Sequence, residues 1–113
     1  MRTTDTSGIE MKLTKGKLSA TEIYEKMKDF VVSEAVLIES ERKYNSAICL
    51  DCIKHYENKH ATFTIVIDDK IEEIVVRLTY YCGDHDNLWK IEGKFKQILL
   101  DCGFGISDYV FPY

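Results

Sequence analysis

The stretch from Ala61 to Cys82 (ATFTIVIDDKIEEIVVRLTYYC) constrains the fold more than any other part of the chain. Ala61, Phe63, Ile65 and Ile67 alternate with Thr62, Thr64, Val66 and Asp68, the period of two expected of a strand with one buried face. A second arm repeats the pattern, with Ile74, Val76, Leu78, Tyr80 and Cys82 set against Glu73, Val75, Arg77, Thr79 and Tyr81. The two arms predict a β-hairpin over 61–68 and 72–82. Slipping one residue would turn a whole face inside out, so the connection must hold an even number of residues. That places the turn at Asp69 and Lys70, or at Asp68 to Ile71.

Other segments attach to this hairpin. Ile9, Met11 and Leu13 alternate with Glu10, Lys12 and Thr14, a first strand that stops at Lys15 and Gly16. Ser19 and Glu22 have the spacing of a capping box, and Ile23, Met27, Phe30 and Val31 form an apolar stripe behind it. No glycine or proline ends that helix, which is predicted over about 20–42. Cys49, Leu50, Ile53 and Tyr56 recur at intervals of three and four, predicting a second helix over about 46–57, with a strand over 47–53 as the alternative. Leu88, Ile91, Phe95, Ile98, Leu99 and Cys102 share one face of a third helix over about 87–102. Gly103 suits its left-handed stop and Phe104 folds back on Leu99. Residues 106–111 read as an edge strand, with Pro112 at its end. The expected class is α+β: an antiparallel sheet of three to four strands built on the hairpin, with helices on one face, in an order close to a split βαβ unit. Residues 1–7 read as a flexible N-terminus and 8–113 as one globular domain.

The totals exclude some function classes. With 113 residues, 45% hydrophobic and 30% charged, the chain can bury a core and is not disordered. Its formal charge of −4 does not favour nucleic acid. The lysines at 12, 15 and 17 lack the interleaved aromatics on which bases stack. No run approaches the roughly 18 apolar residues of a membrane span, and the first residues lack the apolar core of a signal peptide. A cytoplasmic protein with Cys49, Cys52, Cys82 and Cys102 reduced is the expectation.

Cys49, Cys52, Cys82 and His85 have the arithmetic of a Cys3His zinc site, two pairs each spaced by two residues. Against zinc, Cys49 and Cys52 fall where Leu50 and Ile53 are needed for the core, and free cysteine is often simply a small buried residue. The same Cys-x-x-Cys spacing suits a redox pair, but the strand and crossover that frame such a pair are missing. His55, His60 and His85 are candidate bases, and Asp84, Asp86 and Glu92 lie near the last of them, without a signal that any of these converge. No phosphate-binding glycine loop, nucleophile elbow or His-Glu-x-x-His motif is present. The expectation is a chain that is not an enzyme and holds no cofactor. A zinc-stabilised module and a small thiol or acid–base enzyme are the alternatives.

What remains is surface. Asp68, Asp69, Glu72 and Glu73 gather at the hairpin turn, and complementary charge speeds and selects association with a basic partner. Thr62, Thr64, Arg77, Thr79 and Tyr81 lie on the hairpin's other face. Tyr109 and Tyr113 belong to a C-terminal third rich in aromatics, a residue class favoured at interfaces. Asp68, Asp69, Glu72, Glu73, Arg77, Tyr81, Tyr109 and Tyr113 are thus the candidate partner-binding residues. The expected function is a small acidic protein-binding module that covers or inhibits a larger protein, such as a nucleic-acid-handling enzyme or a toxin, with a homodimer as a further use of the surface. Inhibitors encoded by phages and mobile elements share this size and charge.

Overall fold

A hairpin over residues 60–80 lies at the middle of a six-stranded antiparallel sheet. The computed structural model describes residues 7–14, 16–55, 60–80 and 85–110. The elements are β1 (Ser7–Thr14), α1 (Ala20–Ser33), β2 (Leu37–Lys43), β3 (Ala47–His55), β4 (His60–Asp69), β5 (Glu73–Tyr80), α2 (His85–Asp101) and β6 (Gly105–Val110). The strands run in the order β2-β3-β4-β5-β1-β6. A meander from β2 to β5 is thus extended by the first strand and closed by the last.

The hairpin keeps the expected parity but not the expected register. Phe63 pairs with Tyr80, Ile65 with Leu78 and Ile67 with Val76, and the ladder ends at Asp69 opposite Ile74. The connection is therefore Lys70 to Glu73, closed by the Lys70 N–H donating to the Glu73 carbonyl at 3.0 Å. The turn falls later along the chain than expected because Asp68 and Asp69 continue the strand instead of bending it.

Two of the expected helices are corrected. The first ends at Ser33, where Glu34 caps it and Ala35 turns left-handed with φ 57°. The Val36 N–H donates to Val31 O at 2.9 Å and the Ala35 N–H to Val32 O at 3.1 Å, so orphan carbonyls of the last turn are met. Alanine does here what glycine usually does, and no breaker announces it. The rest of the expected 20–42 helix is β2, an edge strand. The segment expected as a helix over 46–57 is β3. Ile48, Leu50 and Cys52 face the helices while Cys49 is buried on the opposite side, so the segment is apolar on both faces and the alternation that marks a strand is lost. With β1 and β6, these two make six strands where three to four were expected.

Both helices lie on one face of the sheet. The capping box starts α1 as its sequence requires: Ser19 Oγ accepts from the Glu22 N–H, and Glu22 Oε1 from the Ser19 N–H, each at 3.2 Å. Ile23, Met27, Phe30 and Val31 are buried against β4 and β2, and α2 packs on β1. Phe30 and Phe95 meet between the helices with ring centroids 6.4 Å apart, and Lys94 Nζ reaches Glu34 Oε2 at 3.0 Å. Ile9, Met11, Leu50, Phe63, Ile65 and Leu78 supply the sheet's side of the core. Gly103 takes φ 98° after α2, and the Phe104 N–H returns to Leu99 O at 2.9 Å, the stop expected from sequence. Among the described residues no helix is long and apolar enough to cross a membrane.

Candidate functional site

Strand alternation that buries one face builds the other. Two adjacent rows cross it. In one, Arg42, Cys49, Val66, Arg77 and Glu10 succeed one another from β2 to β1; in the next come Ser40, Asp51, Thr64, Thr79 and Gly8. No described helix packs on this side. Gly8 is required where it stands, because a Cβ there would fall on the Leu78 carbonyl oxygen of β5.

Two charge clusters flank the middle of the face. Around Asp51, the Arg42 guanidinium donates from Nε to Oδ2 at 2.9 Å and from Nη2 to Oδ1 at 3.1 Å, a bidentate pair. Ser40 Oγ donates to Oδ2 at 2.5 Å and Thr64 Oγ1 to Oδ1 at 3.1 Å. The Ser40 hydrogen bond, then those of Arg42 and Thr64, hold the Asp51 carboxyl below its ordinary pKa, against burial that pushes it up. Across the sheet, Arg77 donates to Glu10 Oε2 from Nε at 3.1 Å and Nη2 at 2.7 Å. Ser107 Oγ donates to Glu10 Oε1 at 2.8 Å and to the Glu10 carbonyl at 3.2 Å. Ser107 is the extra residue where the β1–β6 register shifts between Glu10 and Met11. The Arg77 hydrogen bond is the largest influence lowering the Glu10 pKa; burial opposes it, and Ser107 and Lys12 assist. Charges on this face are largely matched within it. Between the clusters lie Thr64, Thr79 and Val66, all half-buried, and Cys49 and Val75, at 8% and 2% exposure.

Of the residues singled out in the sequence, Thr62, Thr64, Arg77 and Thr79 do share this face. Asp68 belongs to it as well and accepts from Ser46 Oγ at 3.0 Å; Glu73 lies 3.9 Å from Lys12 Nζ. Asp69 and Glu72 are exposed at the hairpin end. Tyr81 and Tyr113 lie outside the described residues, and Tyr109 is in β6 opposite Ile9. The sequence reading missed Ser40, Arg42, Asp51, Glu10 and Ser107, whose meeting depends on strand pairings that no local pattern announces. It also missed Ile71, which stands at the hairpin tip with 93% exposure.

Cys49 and Cys52 are buried within β3. Cys49 and Cys52 are three apart on one strand and so face opposite sides of the sheet, where they cannot share one metal ion or one disulfide while β3 stays paired. Burial pushes the Cys52 thiol up to about 12, with Asp51 and Glu39 adding to it. Such a thiol is a poor nucleophile. Cys82 lies outside the described residues and His85 opens α2. Among the described residues no three His, Cys, Asp or Glu side chains gather as a metal site would need. His55 and His60 face each other across β3 and β4 with ring centroids 6.2 Å apart, both exposed.

No protein-family model matches the chain, and no curated protein or solved structure is found similar to it. The fold and this face define a two-layer α+β protein with helices on one side of an antiparallel sheet and a polar, internally charge-matched surface on the other.

Proposed function

We propose that the chain is a protein-binding module that acts by covering part of a larger protein, with the face containing Thr62, Thr64, Arg77 and Thr79 as its contact surface. The observation that carries this reading is the state of that face. Its main guanidinium groups are already engaged by carboxylates, through Arg42 with Asp51 and Arg77 with Glu10. Side chains held in one geometry lose little freedom when a partner arrives, and a face with matched charges leaves few ions to strip of water. Half-buried threonines and Val66 between the clusters offer a surface of mixed polarity, as interfaces that form and dissociate commonly have.

The test is a bulky charge at the centre of the face. Thr79→Arg and Val66→Glu, each first checked for an unchanged circular dichroism spectrum, are compared with the wild type in co-purification from the cells that encode the protein. Loss of a specific retained protein with both variants is the expected result. Equal retention by wild type and both variants would remove the face from consideration.

A further inference from the structure

Ile71 is the most exposed large apolar side chain among the described residues, at 93%, and nothing in the fold calls for it. The β4–β5 register is held by the ladder ending at Asp69 and Ile74, and the connection closes through Lys70 and Glu73 backbone groups. The side chain at 71 takes no part in either. Turn chemistry disfavours it too, since tight hairpin connections prefer glycine, asparagine or aspartate, and a β-branched apolar residue held in water forgoes the gain of burial.

Its surroundings carry a sign. Over residues 68–73 there are four carboxylates against one lysine, a net charge of −3. An open depression beside Ile71 is lined by Thr14, Lys70, Glu72 and Glu73, and Glu73 also meets Lys12 Nζ at 3.9 Å. We infer that Ile71 is the anchor with which this hairpin tip enters an apolar socket on a partner protein whose rim carries lysine or arginine. An apolar centre within a charged ring is how binding interfaces commonly concentrate their energy. Charge decides among the occupants. Nucleic acid and an anionic membrane surface would be repelled by the tip. A second copy of the chain carries −4 and presents the same acidic tip, so charge favours a basic partner over self-association.

This inference rests on the reading of the chain as a protein-binding module, and the experiment separates the two. The full chain is made with the photo-crosslinker benzoylphenylalanine at position 71 or, separately, at position 79, and irradiated in lysate of the cells that encode it. Adducts are mapped by mass spectrometry. The partner so identified is then produced recombinantly and titrated calorimetrically with wild type, Ile71→Ser, Ile71→Leu and the Asp69→Asn/Glu72→Gln double variant. The expected result is an adduct from position 71 on an apolar segment flanked by lysine or arginine. Ile71→Ser should bind about 10- to 100-fold more weakly, with Ile71→Leu close to wild type. The double variant should bind more weakly and with a shallower salt dependence. An adduct from position 79 alone, or equal affinity of Ile71→Ser and wild type, overturns the anchor and leaves the module reading standing. No adduct from either position, together with no protein specifically retained by the wild type, overturns both.

Discussion

Ala35 and Gly93 occupy each other's favoured places. Ala35 is the one non-glycine residue with positive φ among the described residues, at 57°, in the position after a helix end where glycine escapes the Cβ clash. Gly93 sits inside α2, exposed, with open space where a Cβ would go. Ala35→Gly is expected to stabilise the protein by about 0.5–1 kcal/mol, the relief of left-handed strain reduced by the greater freedom of glycine in the unfolded chain. Gly93→Ala should add about 1 kcal/mol from helix propensity. Each variant is read in thermal melts, with Tm raised by roughly 4–8 °C per kcal/mol, and because the flanking Glu34 and Lys94 are ion-paired at 3.0 Å the double variant shows whether the two sites couple. A fall in Tm for either would mean that its local backbone is not the one described. Gly8→Ala goes the other way. Its Cβ meets backbone, which cannot swing aside, so β1 would have to leave β5. The expected loss exceeds about 2 kcal/mol, in the range of a disrupted core contact.

The carboxylate of Glu10 joins three strands, accepting from Arg77 of β5 and Ser107 of β6 while it belongs to β1. Its pKa is held below the ordinary 4.5, and that of Asp51, which ties β2, β3 and β4, below the ordinary 3.8. A carboxyl depressed in the folded state stabilises fully above its unfolded value and loses that contribution as pH falls through the folded one. These clusters should therefore leave stability level between pH 7 and about 5.5 and let it fall below about pH 4.5. Glu10→Gln should cost about 1 kcal/mol at pH 7, since the guanidinium it meets is partly exposed, and the gap to wild type should narrow in urea melts as pH falls below the ordinary 4.5. A constant gap at all pH values would show that Glu10 acts through packing and not through charge. The same elements show what the sequence can carry. β4 and β5 are legible because one face is apolar and the other polar, and that alternation also foretells Thr62, Thr64, Arg77 and Thr79 on a common surface. The start of α1 is legible because Ser19 and Glu22 are a local pair. Its end is not, because Ala35 substitutes for a breaker. β3 is apolar on both sides and β2 has mainly exposed side chains, so neither shows a period. The Asp51 and Glu10 clusters were hidden with them, since Arg42 meets Asp51 only once β2 and β3 pair, and Ser107 meets Glu10 across 97 residues of chain. Ile71 was hidden by a turn placed too early.

Across the whole molecule, the sheet's pairing order decides what the cysteines can do. Cys49 and Cys52 lie in β3, held between β2 and β4, one thiol toward each face. Neither reaches solvent by fraying of a terminus, because β3 is an interior strand. Alkylation of either should therefore require the cooperative opening of the sheet, and its rate should follow the equilibrium population of the unfolded chain. Quantifying each cysteine by peptide mass spectrometry after exposure to iodoacetamide at increasing urea is the measurement. Cys49 and Cys52 are expected to share one urea dependence, with the slope of global unfolding, although they face opposite sides of the sheet. The same placement predicts that a chelator leaves the melting temperature unchanged, since the two thiols cannot meet on one ion without parting β3 from its neighbours. Rapid labelling of Cys49 ahead of Cys52 without urea would mean that side-chain motion on the uncovered face, and not opening of the sheet, exposes its thiol. If both cysteines reacted rapidly in the folded protein, or the melt moved with chelator, β3 could not be the interior strand paired with β2 and β4, and the surface through Asp51, Thr64 and Thr79 that depends on it would have to be abandoned.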